Sequence, residues 1–435
     1  MKKTILLILV CIIIFFLVNP DIISQMAFKI KFGDDLILYV VSDLHYLSEK
    51  LYDNGEAFNK YVESGDKLLQ YTEVFLNVFK EKVLENKPDF VVFAGDLTSN
   101  GSKVSHMDLS DKLSEIEDSG TKVYVIPGNH DLNNTRSIYF DKEEVHRSEN
   151  ISNEDFVDIY GQFGYNEAAF RDKESLSYLA KPNDKVWLLM LDSTKPYPYS
   201  GGRLEKSTLE WVKECSNLAK EEDVKMIAVM HHSLVDHSKI INFNYTIDNS
   251  KEVVELMHKS DIDIVLTGHI HLQDIKSNEY EGRTLYDIST SCISIYPHQF
   301  GQLSYSPWEG YEYKTMKLNM EEYAKTNNMK NESLEKFEVY SENFFKVNCC
   351  KNQKNCVEDI ESLSEDEKAK VVETVSEMNK MYFAGYRNEA LNKITETEGF
   401  KLLESIEDCP VKRYAMAILN DERADNNILI INFAE

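Results

Sequence analysis

The sequence is short of positive charge: lysine and arginine number 48 against 74 aspartates and glutamates, which gives a formal net charge of −26. Such an acidic chain is not drawn to nucleic-acid polymers or to anionic membranes. The sequence also contains no long repeat, no linker rich in proline or glycine and no P-loop, so nothing supports ATP-driven group transfer. An anionic substrate would need a local positive centre, which bound metal ions can supply.

Composition excludes several other classes of protein. With 43% hydrophobic and 28% charged residues, the chain resembles an ordinary globular protein rather than a disordered, collagen-like or multi-span membrane protein. Its 435 residues are enough for two or three domains.

The N-terminus carries one short apolar run. Two lysines precede residues 5–18, and Asn19 and Pro20 end the run. A membrane-spanning helix needs about 20 residues, whereas the core of a signal peptide has roughly 7 to 15. Residues 1–20 are therefore predicted to be a signal peptide or an uncleaved membrane anchor, and the protein to be secreted or held at the cell membrane. Any membrane contact is expected through this segment alone.

Three of the seven cysteines lie close together, at Cys349, Cys350 and Cys356. A zinc site would need a paired CxxC motif or a nearby histidine, and neither is present. In an exported protein this cluster favours a disulfide.

Short apolar runs of strand length recur from residue 36 onward. They are rich in Val, Ile and Leu, as expected for strands buried on both faces. A helix is predicted between the first two runs, at residues 67–83, and this alternation indicates a layered α/β domain. The runs cover residues 36–41, 90–94, 123–126, 186–191, 226–230 and 262–266.

Five of these runs end in residues that can bind metals. Each motif alone is common, but all five in order, each ending a predicted strand, form a strong signal, because functional residues collect at strand ends in such folds. The motifs are Asp43-Leu44-His45, Gly95-Asp96, Gly128-Asn129-His130-Asp131, His231-His232 and Gly268-His269-Ile270-His271.

This mixture of carboxylate, imidazole and amide donors suits Mn, Fe or Zn. Two cations about 3.5 to 4 Å apart need a shared anionic ligand, and Asp96 is the candidate for that bridge. His231 and His232 are adjacent, so one of them is expected to be a ligand. We choose His231, which directly follows the strand.

The motif set resembles that of the calcineurin-like metallophosphoesterases over residues 38–294. The resemblance implies a β-sandwich flanked by helices, with two metal ions and a hydroxide between them that attacks phosphorus. It implies that His130 protonates or stabilises the leaving oxygen and that Asp131 orients His130. One metal would be bound by Asp43, His45, Asp96 and His271, and the other by Asp96, Asn129, His231 and His269.

Differences from the family pattern indicate which branch of the superfamily the chain resembles. Protein phosphatases of the superfamily carry GDxVDRG and GNHE, where this chain has GDLTSNG and GNHD, so a phosphoprotein substrate is disfavoured. Ser99 stands where purple acid phosphatases have a metal-binding tyrosine. The pattern is most similar to the bacterial cyclic-nucleotide phosphodiesterases, including exported members with an added C-terminal helical region.

Four further residues are candidates for contact with the substrate, and three of them have a structural alternative. Asn100 could contact the substrate phosphate or close its turn, and His232 could line the pocket. Tyr46 could stack on a base or pack in the core. His298 could reach the rim of the active site or be structural.

The last third of the chain is charge-rich and is predicted to be mainly helical from about Trp308. Ser364 to Glu367 matches a capping box before a helix at residues 368–383, and a second helical segment is predicted at 389–406. We divide the chain into residues 1–20, a metallophosphoesterase domain at 34–305 and a smaller helical domain at 306–435. The helical domain either covers one side of the active site or only adds stability.

Taken together, the sequence predicts a two-metal enzyme that hydrolyses small phosphodiesters, cyclic nucleotides among them. One alternative is a phosphomonoesterase that uses the same metals. The other is a surface binding protein that keeps the fold without catalysis. All expected ligands are present, which disfavours the second alternative.

Overall fold

The computed structural model describes residues 36–386, 393–420 and 425–433, except for the side chains of residues 352–356. The segment at residues 1–20, on which the prediction of export depends, lies outside this part. Within the described residues, no helix is both long enough and apolar enough to cross a bilayer.

Fifteen strands are present in the described chain. The six predicted apolar runs are among them, with ends shifted by no more than two residues. The strands are β1 (Leu36–Val41), β2 (Phe90–Ala94), β3 (Lys122–Ile126), β4 (Ile138–Asp141), β5 (Glu144–Arg147), β6 (Phe170–Arg171), β7 (Tyr178–Ala180), β8 (Val186–Leu191), β9 (Lys225–Met230), β10 (Ile264–Thr267), β11 (Asp274–Tyr280), β12 (Arg283–Ser289), β13 (Gln299–Ser306), β14 (Gly310–Lys317) and β15 (Ile428–Asn432).

The strands form two large sheets and one hairpin. The first sheet has the order β15-β14-β13-β1-β2-β3, and the second has the order β11-β12-β10-β9-β8-β7-β6. Strands β1, β2 and β3 are parallel, as are β8, β9, β10 and β12. One core cluster contains Val92 of the first sheet and Leu188 of the second, so apolar side chains join the two sheets. The predicted layered α/β sandwich is confirmed.

Twelve α-helices accompany the sheets in the described residues. They are α1 (Glu56–Ser64), α2 (Thr72–Asn86), α3 (Lys103–Glu117), α4 (Asn153–Ile159), α5 (Lys206–Glu221), α6 (Ser250–Lys259), α7 (Met320–Thr326), α8 (Glu332–Glu335), α9 (Phe337–Val357), α10 (Glu365–Phe383), α11 (Glu398–Ser405) and α12 (Pro410–Leu419).

The helix predicted at residues 67–83 begins later, at Thr72. Leu68 has φ −84° and ψ 65°, which are not helical angles, and a short 3-10 turn at Leu69–Tyr71 precedes α2. The Leu68 backbone N–H donates to the Ser294 carbonyl over 3.0 Å. This contact with a distant loop holds the preceding residues, Asp66 and Lys67, in an irregular segment.

The C-terminal third also contains strands that the sequence did not indicate. Helical structure begins at Met320 rather than near Trp308, because Gly310–Lys317 forms β14 and pairs with β13. The chain returns to this sheet at β15, which pairs with β14. The described residues from Leu36 onward form one compact unit, and the domain boundary at 305 stays a prediction.

The predicted C-terminal helices differ in how much of them the structure describes. Ser364 and Glu367 form the predicted capping box, and α10 follows directly. In the second predicted segment α11 is present, whereas residues 387–392 lie outside the described chain.

The predicted disulfide is not formed. Cys349 and Cys350 are free thiols, and the side chain of Cys356 is not among those described. All three residues lie on α9, where Cys356 comes six positions after Cys350. Six helical residues span about 9 Å, more than the roughly 7 Å that a disulfide allows between Cα atoms.

Candidate metal centre

The predicted ligands follow strands that end at neighbouring places. Because β1, β2 and β3 are parallel neighbours, the residues after them come to the same edge of the first sheet. The same holds for the residues after β9 and β10 in the second sheet. The structure brings together the seven side chains of Asp43, His45, Asp96, Asn129, His231, His269 and His271.

The backbone at these strand ends is unusual. Asp43, His45, Asp96, His269 and His271 have φ angles of 53°, 47°, 46°, 69° and 59°. Positive φ is uncommon for residues other than glycine, and such strained residues cluster at functional sites. The surrounding packing therefore holds these five side chains in positions that an unconstrained backbone would disfavour.

One group of side chains surrounds His271. Its Nε2 atom lies 3.3 Å from Nε2 of His45 and 3.4 Å from Oδ1 of Asp43. Nε2 of His45 lies 3.7 Å from Oδ2 of Asp96. These four side chains are the ones that the family resemblance assigns to the first metal.

A second group surrounds His231. Its Nε2 atom lies 3.4 Å from Oδ2 of Asp96 and 3.1 Å from Oδ1 of Asn129. The ring of His269 packs against that of His231, with 4.9 Å between centroids. Asp96 contacts both groups through the same carboxylate oxygen.

Hydrogen bonds outside these groups fix their orientation. Nδ1 of His231 lies 3.0 Å from the Ala94 carbonyl, which can only accept, so Nδ1 carries a proton and Nε2 is the nitrogen that faces Asp96 and Asn129. Oδ2 of Asp43 accepts from the Ser42 hydroxyl at 2.6 Å and from the His269 backbone N–H at 2.9 Å. Oδ1 of Asp43 is left free to face His271.

Burial shapes the charge of the site. Burial alone would raise the pKa of Asp96, but the neighbouring His231 holds that pKa well below its usual range. Burial also opposes protonation of His231, yet Asp96 more than offsets this and raises the pKa of His231 to about 9. Burial lowers the pKa of His45 well below its usual range, and Lys67 lowers it further.

These residues fit a pair of metal ions. Oδ1 of Asp43 and Nδ1 of His45 are buried without a hydrogen-bond partner. Donor atoms within 4.8 Å of one another include the sets Asp43, Asp96, His231 and His45, Asp96, His130. Two carboxylates, several imidazoles and an amide oxygen suit borderline divalent cations.

His130 lies beside this cluster and is oriented differently from the prediction. Its Nδ1 atom donates to the Ser99 carbonyl over 2.7 Å, and its Nε2 atom lies 3.9 Å from Oδ2 of Asp96. Asp131 instead accepts from the backbone N–H groups of Leu97, Thr98 and Gly128. The prediction that Asp131 orients His130 is wrong, because the Asp131 carboxylate instead joins the loop after β2 to the loop after β3.

Two of the candidate substrate residues have structural partners. Tyr46 is buried in the main core, and its hydroxyl lies 2.7 Å from both Glu73 and Asp108, which supports the core-packing alternative. The side-chain amide of Asn100 donates to the Ile138 carbonyl over 3.2 Å. This bond ties Asn100 to β4, whereas its Oδ1 atom is buried without a hydrogen-bond partner.

The two candidate histidines lie in different surroundings. The ring of His232 packs against that of His269 at 4.4 Å, although both of its nitrogens have partners, the Ser193 hydroxyl and the Ser200 carbonyl. His298 is buried and stacks on Phe75 at 4.6 Å. The structure therefore places His232 beside the centre and His298 in the interior rather than at the rim.

Sequence reasoning missed three residues near the centre. The Cys292 sulfur lies within 4.8 Å of nitrogens of both His45 and His271. It comes soon after β12, and applying the strand-end rule to that strand would have found it. Lys67 and its ion-pair partner Asp66, 3.2 Å away, carry no such signal because they lie on no recognisable motif.

Comparison with known families agrees with this geometry. A family described as "Calcineurin-like phosphoesterase" matches residues 37–273, over half of the chain. The chain belongs to the calcineurin-like phosphoesterase family. Phosphoesterases of this fold use divalent metal ions, and the predicted resemblance and enzyme class are confirmed. In this phosphoesterase, residues 319–425 also match the "C-terminal domain of cyclic nucleotide phosphodiesterase".

Three relatives carry names of the same kind. A "Probable cyclic nucleotide phosphodiesterase" of Fibrobacter succinogenes is 22% identical over 257 residues, covering 58% of this phosphoesterase and 84% of the relative. A second "Probable cyclic nucleotide phosphodiesterase", from Ruthia magnifica, is 23% identical over 201 residues, which cover 46% of this phosphoesterase and 69% of the relative. A "Probable glycerophosphodiester phosphodiesterase" of Arcobacter nitrofigilis is 25% identical over 193 residues, which cover 43% of this phosphoesterase and 58% of the relative.

Proposed function

We propose that this phosphoesterase hydrolyses small phosphodiesters, with cyclic nucleotides among its substrates, at a centre of two metal ions. The observation that carries the proposal is the position of Asp96. Its Oδ2 atom is 3.7 Å from His45 in one group of donors and 3.4 Å from His231 in the other. A carboxylate between two donor groups is what a pair of nearby cations requires.

Each cation would have its own set of donors. When bound, the cations would neutralise phosphate charge and make a water molecule acidic enough to serve as the nucleophile near neutral pH. Mn, Fe and Zn all suit these donors. The first set is Asp43, His45, Asp96 and His271, and the second is Asp96, Asn129, His231 and His269.

His130 is suited to act as the general acid. Because Nδ1 donates its proton to the Ser99 carbonyl, a proton on Nε2 is the one that can be given to the leaving oxygen. The side chain is 39% exposed, so substrate can reach it, whereas the other histidines around Asp96 are buried. The proton would pass from Nε2 to the oxygen of the breaking P–O bond.

Preference for diesters is supported by the relatives. Both relatives from Fibrobacter and Ruthia are named as cyclic nucleotide phosphodiesterases, and the Arcobacter relative is named for another phosphodiester. The C-terminal match is to a domain of cyclic nucleotide phosphodiesterases. A monoesterase with the same centre is the outcome that a substrate panel must exclude.

The decisive experiment combines metal loading with that panel. Chelator-treated protein is reloaded with Mn, Zn or Fe and assayed on bis-p-nitrophenyl phosphate, p-nitrophenyl phosphate and cyclic nucleotides. We expect metal-dependent turnover of the diesters and a loss on the order of a hundred- to a thousandfold in Asp96→Asn, which also binds less metal. Asp184→Asn, which removes an exposed carboxylate, is the control. Turnover that survives complete metal removal, or is confined to monoesters, would contradict the proposal.

We also propose that the protein acts outside the cytoplasm. The support is the N-terminal pattern alone, two lysines followed by the apolar run at residues 5–18. Cell fractionation and N-terminal sequencing of the mature protein would test this proposal, since recovery of the intact protein in the cytosolic fraction would contradict it.

A further inference from the structure

A cavity of about 200 Å³ lies between the phosphoesterase part of the chain and the C-terminal helices. Asp66 and Ile295 line it from one side, and residues of α9, α10 and α12 line it from the other. Its aromatic lining consists of Phe345, Phe383 and Tyr414.

The cavity adjoins the metal centre. Cys292 lies within 4.8 Å of nitrogens of His45 and His271, and it packs in one small cluster with Ile295 and Phe345, which line the cavity. This cluster therefore reaches from the first group of donors to the cavity wall.

The segment before α2 makes a second connection between the centre and the cavity. Asp66 lines the cavity, is 56% exposed and pairs with Lys67 at 3.2 Å. Burial alone would raise the pKa of the Asp66 carboxyl, but Lys67 and then His271 lower it.

The helices also pack directly on the loop that carries two of the histidines. Ile270 and Leu272, which flank His271, belong to the same apolar cluster as Val375 and Met378 of α10. The C-terminal helices are therefore part of the surroundings of the centre rather than a remote appendage.

The cavity lining suits a flat, hydrogen-bonding ring. Phe345 and Phe383 meet edge to face at 5.7 Å, and aromatic faces of this kind stack on nucleobases. Asn379 is buried, and its Oδ1 accepts from the Tyr414 hydroxyl. Nδ2 of Asn348 is buried without a hydrogen-bond partner, and an unsatisfied buried donor is costly unless a ligand pairs with it.

The size of the cavity indicates which part of a ligand it holds. Sites for whole drug-sized ligands occupy roughly 300–1,000 Å³. A cavity of about 200 Å³ is smaller and would take one ring system, while the rest of the ligand lies outside it. Glycerol offers no flat face for the aromatic walls, whereas a nucleobase offers both a face and polar edges.

We infer that this cavity binds the nucleobase of a nucleotide whose phosphate lies at the metal centre, so that the C-terminal helices select nucleotide substrates. The inference rests on the proposed function, since the phosphate must be held at the centre for the base to reach the cavity. Asn348 would be a specificity-determining residue that donates a hydrogen bond to the edge of the base.

The test uses two ligands that differ only by the base. The full-length, Mn-loaded protein is titrated calorimetrically with adenosine 5′-monophosphate and with ribose 5-phosphate. We expect the nucleotide to bind about tenfold more tightly. In Asn348→Ala the ratio of the two affinities should shrink roughly three- to tenfold, the effect of losing one hydrogen bond.

Two further variants guard against misfolding. Asn343→Ala changes the same residue type on the same helix but at an exposed position outside the cavity lining, and it should keep the wild-type ratio. Asn348→Asp keeps the size of the side chain and replaces the donor, so it should resemble Asn348→Ala.

The outcomes separate this inference from the proposed function. The nucleobase site would be overturned if the two ligands bound equally tightly or if neither bound. It would also be overturned if the ratio of the two affinities were unchanged in Asn348→Ala. Each of these results would count against the site even if diesters are hydrolysed. A base-dependent difference that Asn348→Ala removes would support the site even if no phosphoester is turned over.

Discussion

Nε2 of His45 and Nε2 of His271 face each other at 3.3 Å. Both nitrogens are next to carboxylates, His45 is fully buried, and its Nδ1 has no hydrogen-bond partner. Two neutral imidazoles so placed repel through their lone pairs unless a proton or a cation lies between them. A proton on one Nε2 would make this contact an ordinary hydrogen bond, and a cation bound by both lone pairs would replace that hydrogen bond.

Removal of metal should destabilise the protein. A ligand that binds only the folded state adds about 2.7 kcal/mol to the free energy of unfolding at a hundredfold excess over its Kd. We expect treatment with a chelator to lower the midpoint of thermal unfolding by several degrees, and Mn or Zn to restore it. The double variant His45→Gln, His271→Gln should have lost most of this dependence. Identical melting curves with and without chelator would count against a bound cation.

The role of His130 should depend on the leaving group. A general acid matters most when the departing oxygen is strongly basic, and such catalysis typically contributes about 10²- to 10⁴-fold. We expect His130→Ala to reduce kcat strongly for esters of aliphatic alcohols and much less for bis-p-nitrophenyl phosphate. Metal content should be nearly unchanged, and the ratio of kcat values for the two substrates is the quantity to measure. An equal loss on both would assign His130 a different role.

Gly268 lets two of the metal-binding loops approach closely. A Cβ atom at this position would overlap the Ser42 hydroxyl and would lie 2.6 Å from Oδ2 of Asp43. Overpacking of this kind costs about 1–3 kcal/mol. We therefore expect Gly268→Ala to unfold at lower denaturant concentration and to bind metal more weakly.

Gly65→Ala provides the matched control, because its Cβ would meet its nearest neighbour at 3.7 Å, an ordinary contact. Comparison of the denaturant midpoints of the two variants separates the loop contact from the general effect of adding a methyl group. Equal midpoints would mean that the loops can move apart without cost.

His237 makes stability depend on pH away from the centre. It is buried between Asp274, 2.9 Å from Nδ1, and Asp287, 3.0 Å from Nε2, and Lys276 also lies 3.4 Å from Asp274. Burial opposes protonation of His237, but the carboxylates outweigh it, led by Asp287, and raise its pKa to about 9. The folded protein therefore holds a proton that the unfolded chain releases near pH 6.5.

The stabilisation from this proton should be complete below about pH 6.5 and disappear as the pH rises through about 9. We expect the free energy of unfolding to fall on the order of 3 kcal/mol over that interval, measured by denaturant titration at each pH. His237→Gln should flatten the curve, whereas the surface variant His146→Gln should keep its slope. If the free energy of unfolding of the wild-type protein instead rose with pH over this interval, a protonated His237 between Asp274 and Asp287 would be ruled out.

Much of the fold follows from local patterns in the sequence. Apolar runs such as Val186–Leu191 were recognised as strands because strands buried on both faces need continuous Val, Ile and Leu. Strand β14 was missed because polar and aromatic residues alternate along it, which gives no continuous apolar run. The late start of α2 also escaped prediction, since it depends on the contact between Leu68 and Ser294.

Local motifs alone establish which residue types follow β1, β2, β3, β9 and β10, and hence the chemistry that these residues can share. Local spacing carries that information because each motif directly follows its own strand. Three other features come from the packing of the whole chain: Asp96 contacts both groups of donors, the Ser99 carbonyl orients His130, and Cys292 and Asp66 join the surroundings of the centre. These relationships connect residues far apart in the chain, and they exist only once the two sheets and the C-terminal helices have packed together.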